Sequence, residues 1–428
     1  MSIQKVGTDI WKLLKENWIT SILSALIFGN TFWSEMQSLD LRFKFRGEIP
    51  ADPRIVLLDI DDDAKNLLGP PPWKLIELEK LLRPVLASRP AAIGLDLRFY
   101  GYTPDYEVAL QQFMTTIAQD SIPIVLAVEF TKDGRLLKPK LPNLPSHVRF
   151  GSVTLIDPYY PESDDVVRRT RLLSYDGCNQ PVHSFSLQLL AAAKRIEPEQ
   201  CFAELAAAGL TGAATDYHLI NYCNNYRHSY QEHLPPDERF VDTFTSFRAG
   251  ELLEHWQNHP AVAELQAQID KTIQDSTIVL VGATYDDPTS ADWFRTPLSW
   301  KETISGVVVH ANILNWLLRR SFISELGSLL TFFMTLALIT LSWLVIHFLK
   351  FKKAVPLLVF VFLVYGIATL YLFAKWEIWL PLIWPLRMAI YFVLLLIILE
   401  GILYYWWKKK LQWLMPYASA SFLRRRRR

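Results

Sequence analysis

The chain has 428 residues, 51% hydrophobic and 20% charged, and its 44 Lys and Arg against 43 Asp and Glu leave a net charge of +1. That length exceeds the usual single domain, and three cysteines, Cys178, Cys201 and Cys223, are too few and too odd in number for a disulfide framework. The net charge says nothing about partners, but its distribution does. Basic residues cluster at Lys5, Lys12 and Lys15, at Lys350, Lys352 and Lys353, at Lys408 to Lys410 and at Arg424 to Arg428, and each cluster abuts an apolar segment.

After a basic stretch over residues 1–17, the run from Trp18 to Trp33 is apolar but interrupted by Thr20, Ser21, Ser24, Asn30 and Thr31. Ser34, Glu35, Met36 and Gln37 follow it with no small-residue cleavage site, so an uncleaved transmembrane anchor is expected over residues 18–36. Residues 40–320 have the mixed charge and turn content of a globular domain. Arg54 to Ile60 reads as a buried strand entering the acidic loop Asp61 to Asp63, and Leu75 to Leu86 carries helical spacing. Ala91 to Asp96 is a second strand ending in an acid, residues 105–119 read as a helix, and Ile122 to Val128 is a third strand. This alternation predicts an α/β domain with a mainly parallel sheet and right-handed crossovers. A late strand, Ser276 to Gly282, precedes an irregular segment and a helix from Gly306 to about Leu318.

Three further apolar runs, 326–348, 354–374 and 382–406, match the roughly 20 residues that cross a bilayer, so four transmembrane α-helices are expected in all. The turn around Lys352 is basic and the one around Trp376 and Trp379 aromatic. Basic loops stay inside, which puts both termini in the cytoplasm and the large domain, with Asn143 and Asn258, outside the cytoplasmic membrane. The basic tail, 407–428, is expected to lie on the lipids of the inner leaflet.

Ligands of open parallel sheets bind beyond the carboxyl ends of the strands. Asp59 and Asp61 end one strand there, and Asp96 ends what the spacing makes its neighbour. Three converging carboxylates need compensation, either by a divalent cation such as Mg²⁺ or Ca²⁺ or by the amides of helix N-termini that they cap; both readings stay open. Asp292 and Thr296 follow the last strand at an equivalent end, and His310 with Asn312 begins the final helix, where a lone His is more often a packed residue than a ligand. Tyr217 to His233 is rich in aromatics and His and reads as a strand and loop. No phosphate loop, dinucleotide fingerprint, zinc spacing or nucleophile elbow is found, so no catalytic residue and no enzymatic activity is expected.

The segments IVLLDIDDDA, AAIGLDLRFYG, DDVVRRTRLLS with FSLQLLAA, LINY, FTSFRAGELLE, IVLVGATYDDPTSADWFRTPLS and ISGVVVHANILNWLL resemble, in order, the type-two CHASE domain. That family comprises extracytoplasmic sensory domains of bacterial cyclases and histidine kinases, commonly followed by three spans. Gly69 to Lys74 departs from the family's tryptophan-rich turn, and after Trp407 only a short tail stands where members usually continue into an output domain. The resemblance implies a membrane sensor or adaptor that detects an outside small molecule or protein and signals to a separate cytoplasmic or membrane effector. A homo-oligomer fits this reading, and no nucleic-acid partner is expected. The alternative is a structural subunit scaffolding an envelope or defence complex, and a third reading is an outside enzyme using Asp59, Asp61 and Asp96.

Overall fold

The computed structural model describes residues 35–47, 49–69, 71–155, 164–223, 244–257, 262–285, 292–349, 351–395, 399 and 406–407. It divides into two compact units, one of residues 47–324 and one of the two ends of the chain, 1–46 with 325–428. Helix α1 (Glu35–Arg46) belongs to the second unit and is taken up with it below.

The globular unit is built on β1 (Ile55–Ile60), β2 (Ala92–Asp96), β3 (Ile124–Phe130), β4 (Leu136–Leu137), β5 (Val148–Ser152), β6 (Thr245–Arg248) and β7 (Ile278–Ala283). Their order is β6-β1-β7-β2-β3, with β5 parallel and β4 antiparallel to β3; every other pairing is parallel. Every residue of β1 is buried, as a strand covered on both faces requires. One face, through Val56, Leu58, Ile93, Leu95, Val279 and Val281, forms a continuous core with α3 (Leu75–Ala87), α4 (Pro104–Ile117) and the helices α7 (Ala249–Gln257) and α8 (Val262–Thr272). The other face carries α5 (Phe185–Lys194), on which α6 (Pro198–Ala207) packs, and α9 (Gly306–Arg319). Gly282 of β7 permits the approach of α9, since a Cβ there would lie 2.5 Å from Cβ of Val307. Two layers of helices around a parallel sheet are what the strand and helix alternation predicts.

Two features differ from the sequence expectation. The acidic loop after β1 is the start of a helix, α2 (Asp62–Leu68), because Asp61 caps it: its Oδ1 accepts the N–H of Ala64 at 3.0 Å. More consequentially, β1 and β2 are not neighbours. The late strand β7 runs between them, with Gly282 in register with Asp59 on one side and Asp96 on the other. A strand as uniformly apolar as IVLVGA gains most from the middle of the sheet, where both faces are covered. Asp59 and Asp96 are thereby two strand spacings, about 10 Å, apart.

In the membrane unit, α10 (Ser328–Phe348) and α11 (Phe351–Trp376) are long and apolar enough to cross a bilayer, with mean hydropathy 2.3 and 2.5 over their best windows. Their apolar side chains are largely exposed, Phe332 and Val359 by 60% and 61%, as befits helices solvated by hydrocarbon rather than by a protein core. A shorter apolar helix, α12 (Ile383–Leu395), falls in the run expected over 382–406. Among the described residues, two helices of spanning length and one shorter one are seen where four spans are expected; the run from Trp18 to Trp33, residues 396–398 and 400–405 of the last run, and most of the basic tail lie outside the described residues. Helix α1 is tied to the entry of α12. The Glu35 carboxylate accepts the N–H groups of Leu382, Ile383 and Trp384 at 2.7, 2.8 and 3.2 Å, Arg42 donates to the Leu380 carbonyl at 2.7 Å, and the ring of Phe43 meets that of Phe373 edge-on. Glu35 thus serves as the N-terminal cap of a helix far away in sequence.

Candidate functional site

The carboxyl ends of β2, β3, β5 and β7 open into a cleft of about 530 Å³. Asp96 closes β2, Glu129 lies near the end of β3, and Asp292 enters from the strand β8 (Trp293–Thr296), which pairs with β9 (Ser299–Ser305) just before α9. The walls are aromatic: Trp73 comes from the segment before α3, Tyr285 from the end of β7 and Phe294 from β8. Trp73 and Tyr285 meet edge-on at 6.3 Å, and the ammonium of Lys65 sits 4.3 Å over the Tyr285 ring. At the mouth are the exposed Arg98 and Lys132, with the Arg98 guanidinium 5.2 Å over the ring of Tyr100.

Asp96 and Asp292 are unlike surface carboxylates. Burial, reinforced by the charges of Asp292 and Glu129, pushes Asp96 well above the carboxylate range. Asp292 is pushed up to about 7 by burial and then by Glu129. The hydroxyl of Tyr100 donates to Glu129 at 2.7 Å, and burial followed by that bond raises the phenol as well. Oδ2 of Asp96 is shielded from solvent and has no hydrogen-bond partner among the described residues. The cleft therefore holds carboxyls that retain protons near neutral pH, and they titrate as a set rather than singly. Gly306, the first residue of α9, makes this arrangement possible. Its N–H donates to the Asp292 carbonyl at 3.0 Å, and any Cβ on it would overlap the Asp292 carboxylate.

Of the residues singled out from the sequence, Asp96 and Asp292 come together in this cleft. The others do not line it. Asp61 takes the capping role, its Oδ1 accepting the N–H groups of Ala64 and of Gly250 at 3.0 Å each, which joins the N-termini of α2 and α7. Asp59 is buried under the sheet face that carries α9, opposite Gly282. With β7 between β1 and β2, the convergence that called for Mg²⁺ or Ca²⁺ is missing, and among the described residues no three His, Cys, Asp or Glu stand close enough to hold a metal ion. His310 is packed edge-on against Phe185 and bonded to the backbone of Val153, and burial lowers its imidazole to about 4. Asn312 accepts from the Cys223 N–H at 3.0 Å and donates to the Val308 carbonyl at 3.0 Å, away from the cleft lining. Thr296 is buried beside the hairpin. Glu129 was within reach of sequence reasoning, since IVLAVEF places an acid at the end of a buried strand just as AIGLD does; Trp73, Tyr285 and Phe294 fall within segments weighed for the family resemblance, but not as candidates for a site.

Residues 19–349 match a family model described as the CHASE2 domain. No curated protein and no solved structure matches the chain. The match runs from the first apolar run through the whole globular unit to the end of α10, and by it the chain belongs to the CHASE2 family of CHASE-type extracytoplasmic sensory domains.

Proposed function

We propose that the chain is a membrane sensor whose cleft takes a solute outside the cytoplasm, and whose α9 carries the occupied state toward the spans and on to a separate effector protein. The observation behind this reading is the position of Asp292. It forms part of the cleft and at the same time abuts the N-terminus of α9, through the Gly306 N–H bond and the space left by the missing Cβ. Every residue of α9 from Gly306 to Leu317 is buried, so the helix responds to a push at its first residue as a packed rod rather than by bending. Residues 320–327 then connect Arg319 to the start of α10 at Ser328.

The four-span topology with both termini inside belongs to the same proposal. It is supported by the positions of the basic clusters and by the Glu35 cap, which holds the residues following the first apolar run beside those preceding α12. The signal passes without chemistry on the solute: the reading assigns no catalytic role to the cleft acids.

Binding to the full chain in lipid nanodiscs tests the sensor reading. The dialysable fraction of the extracytoplasmic fluid of host cells should raise the melting temperature of the parent protein, since a ligand of the folded state stabilises by mass action. The shift should shrink when Phe294 is replaced by Ala, which removes one wall of the cleft. No shift by any fraction, or one of equal size in the Phe294→Ala variant, would contradict a solute site in this cleft.

A further inference from the structure

The cleft is specific enough in its chemistry to indicate what it takes, on the premise that it is the sensory site proposed above. Three carboxyl groups, Asp96, Asp292 and Glu129, face one space whose walls are the rings of Trp73, Tyr285 and Phe294. One carboxyl oxygen, Oδ2 of Asp96, is buried with no donor among the described residues. A buried acceptor without a donor is costly, and a donor brought by a bound solute relieves that cost. Acids and aromatic faces together are the surroundings that favour an ammonium group, through charge-assisted hydrogen bonds and through attraction to the ring faces.

The same geometry argues against a bare metal ion. The acids are not grouped closely enough for ligation, and a space of about 530 Å³ suits an organic molecule. Arg98 and Lys132 add positive charge at the mouth, which disfavours a small inorganic cation and fits a solute whose far end is neutral or anionic. We infer that the cleft binds a small organic solute carrying a protonated amine, with the ammonium at Asp96, Asp292 and Glu129 and the carbon body between Trp73, Tyr285 and Phe294. Entry of the cation offsets the burial and repulsion that raise Asp96 and Asp292, so these two ionise on binding and release protons.

The pH dependence follows. The titratable and charged groups that face the site are the three acids, Tyr100, Arg98 and Lys132, with Lys65 behind Tyr285. Of these, Asp292 changes charge near neutrality, at about 7, while an alkyl amine stays protonated. Affinity should therefore rise by about tenfold between about pH 6 and about pH 8.

The test is calorimetric titration of the full chain in nanodiscs with phenethylamine and L-phenylalanine, against phenethyl alcohol, MgCl₂ and CaCl₂ as controls. The expected result is saturable binding of at least one amine, proton release measured in buffers of different ionisation enthalpy, and no binding of the alcohol. Asp96→Asn should weaken the amine at least tenfold while raising the melting temperature at about pH 8, since burial pushes this carboxyl up as well. Asp292→Asn should weaken the amine as well while raising the melting temperature at about pH 8, a combination that a misfolded protein cannot give. Equal binding of alcohol and amine, binding of Mg²⁺ or Ca²⁺ at the same acids, or binding of neither amine would overturn the assignment. If the amines fail while the dialysable fraction still shifts the parent and not Phe294→Ala, the sensory site stands and only its ligand class is wrong.

Discussion

Replacing Asp292 by Asn removes a charge and keeps the shape of the group beside Gly306. In the parent, burial and then Glu129 move this carboxyl from 3.8 to about 7. Between those values the folded chain holds a proton that the unfolded chain has released. The stability contributed by the group is therefore complete below about pH 4 and lost as pH rises through about 7. A displacement of that size corresponds to on the order of 4 kcal/mol. His310 works in the opposite sense: its imidazole is held at about 4 rather than 6.5 by burial, so its contribution is present above the ordinary value and lost as pH falls toward the lowered one. The two slopes oppose each other in the parent, which makes the parent profile alone uninformative. Asp52, held low by the hydrogen bond from Arg54, acts below this window. The difference between variant and parent cancels the slopes of His310 and Asp52 and leaves that of Asp292 with its effect on Asp96. Asp292→Asn should match the parent at about pH 4 and exceed it at about pH 8 by on the order of 4 kcal/mol, a melting shift of roughly 10 °C for a domain of this size. Scanning calorimetry of the full chain at the two pH values reads it. A variant with the same offset at both values, or one less stable at the higher, would show Asp292 ionised and held by a cation, and the reasoning about the cleft would fail.

Three further outcomes are expected. Cys178 is exposed while Cys201 and Cys223 are buried, so the parent protein should react with a membrane-impermeant maleimide in intact spheroplasts and Cys178→Ser should not; labelling only after permeabilisation would reverse the proposed orientation. Glu35→Ala leaves three amides at the entry of α12 without their acceptor and should cost about 1–2 kcal/mol, read as faster hydrogen exchange at Leu382, Ile383 and Trp384; unchanged exchange there would remove the capping role. Gly306→Ala forces its methyl group onto the Asp292 carboxylate and should cost about 1–3 kcal/mol. Most of that loss should be recovered when Asp292→Gly is added, and simple additivity of the two changes in a double-mutant cycle would refute the contact.

The strands β1, β2, β3 and β7 were legible as strands because a run such as IVLLDI or IVLVGA has too little polarity for a surface element and is too short for a buried helix. Their order was not legible. Periodicity reports burial but not which buried strand lies beside which, and the insertion of β7 between β1 and β2 is a long-range pairing with no local signature. That one fact decided the site: it separated Asp59 from Asp96 and brought Asp96 toward Asp292. Strand β6 was hidden because TSFR is short and only partly buried. The division of labour among the acids was half legible. Both helix capping and ligand binding were open for Asp61, and the 3.0 Å bonds to Ala64 and Gly250 assign it to capping.

The central claim is that occupation of the cleft changes the membrane helices through α9. Hydrogen exchange of the full chain in nanodiscs, with and without the dialysable extracytoplasmic fraction that shifts its melting, tests this most directly. Slower exchange is expected at Asp96 to Tyr100 and Ala127 to Phe130, together with altered exchange in the first turn of α9 and in α10. Protection confined to the cleft, with α9 and α10 exchanging as before, would leave a binding domain without a signal and contradict the account.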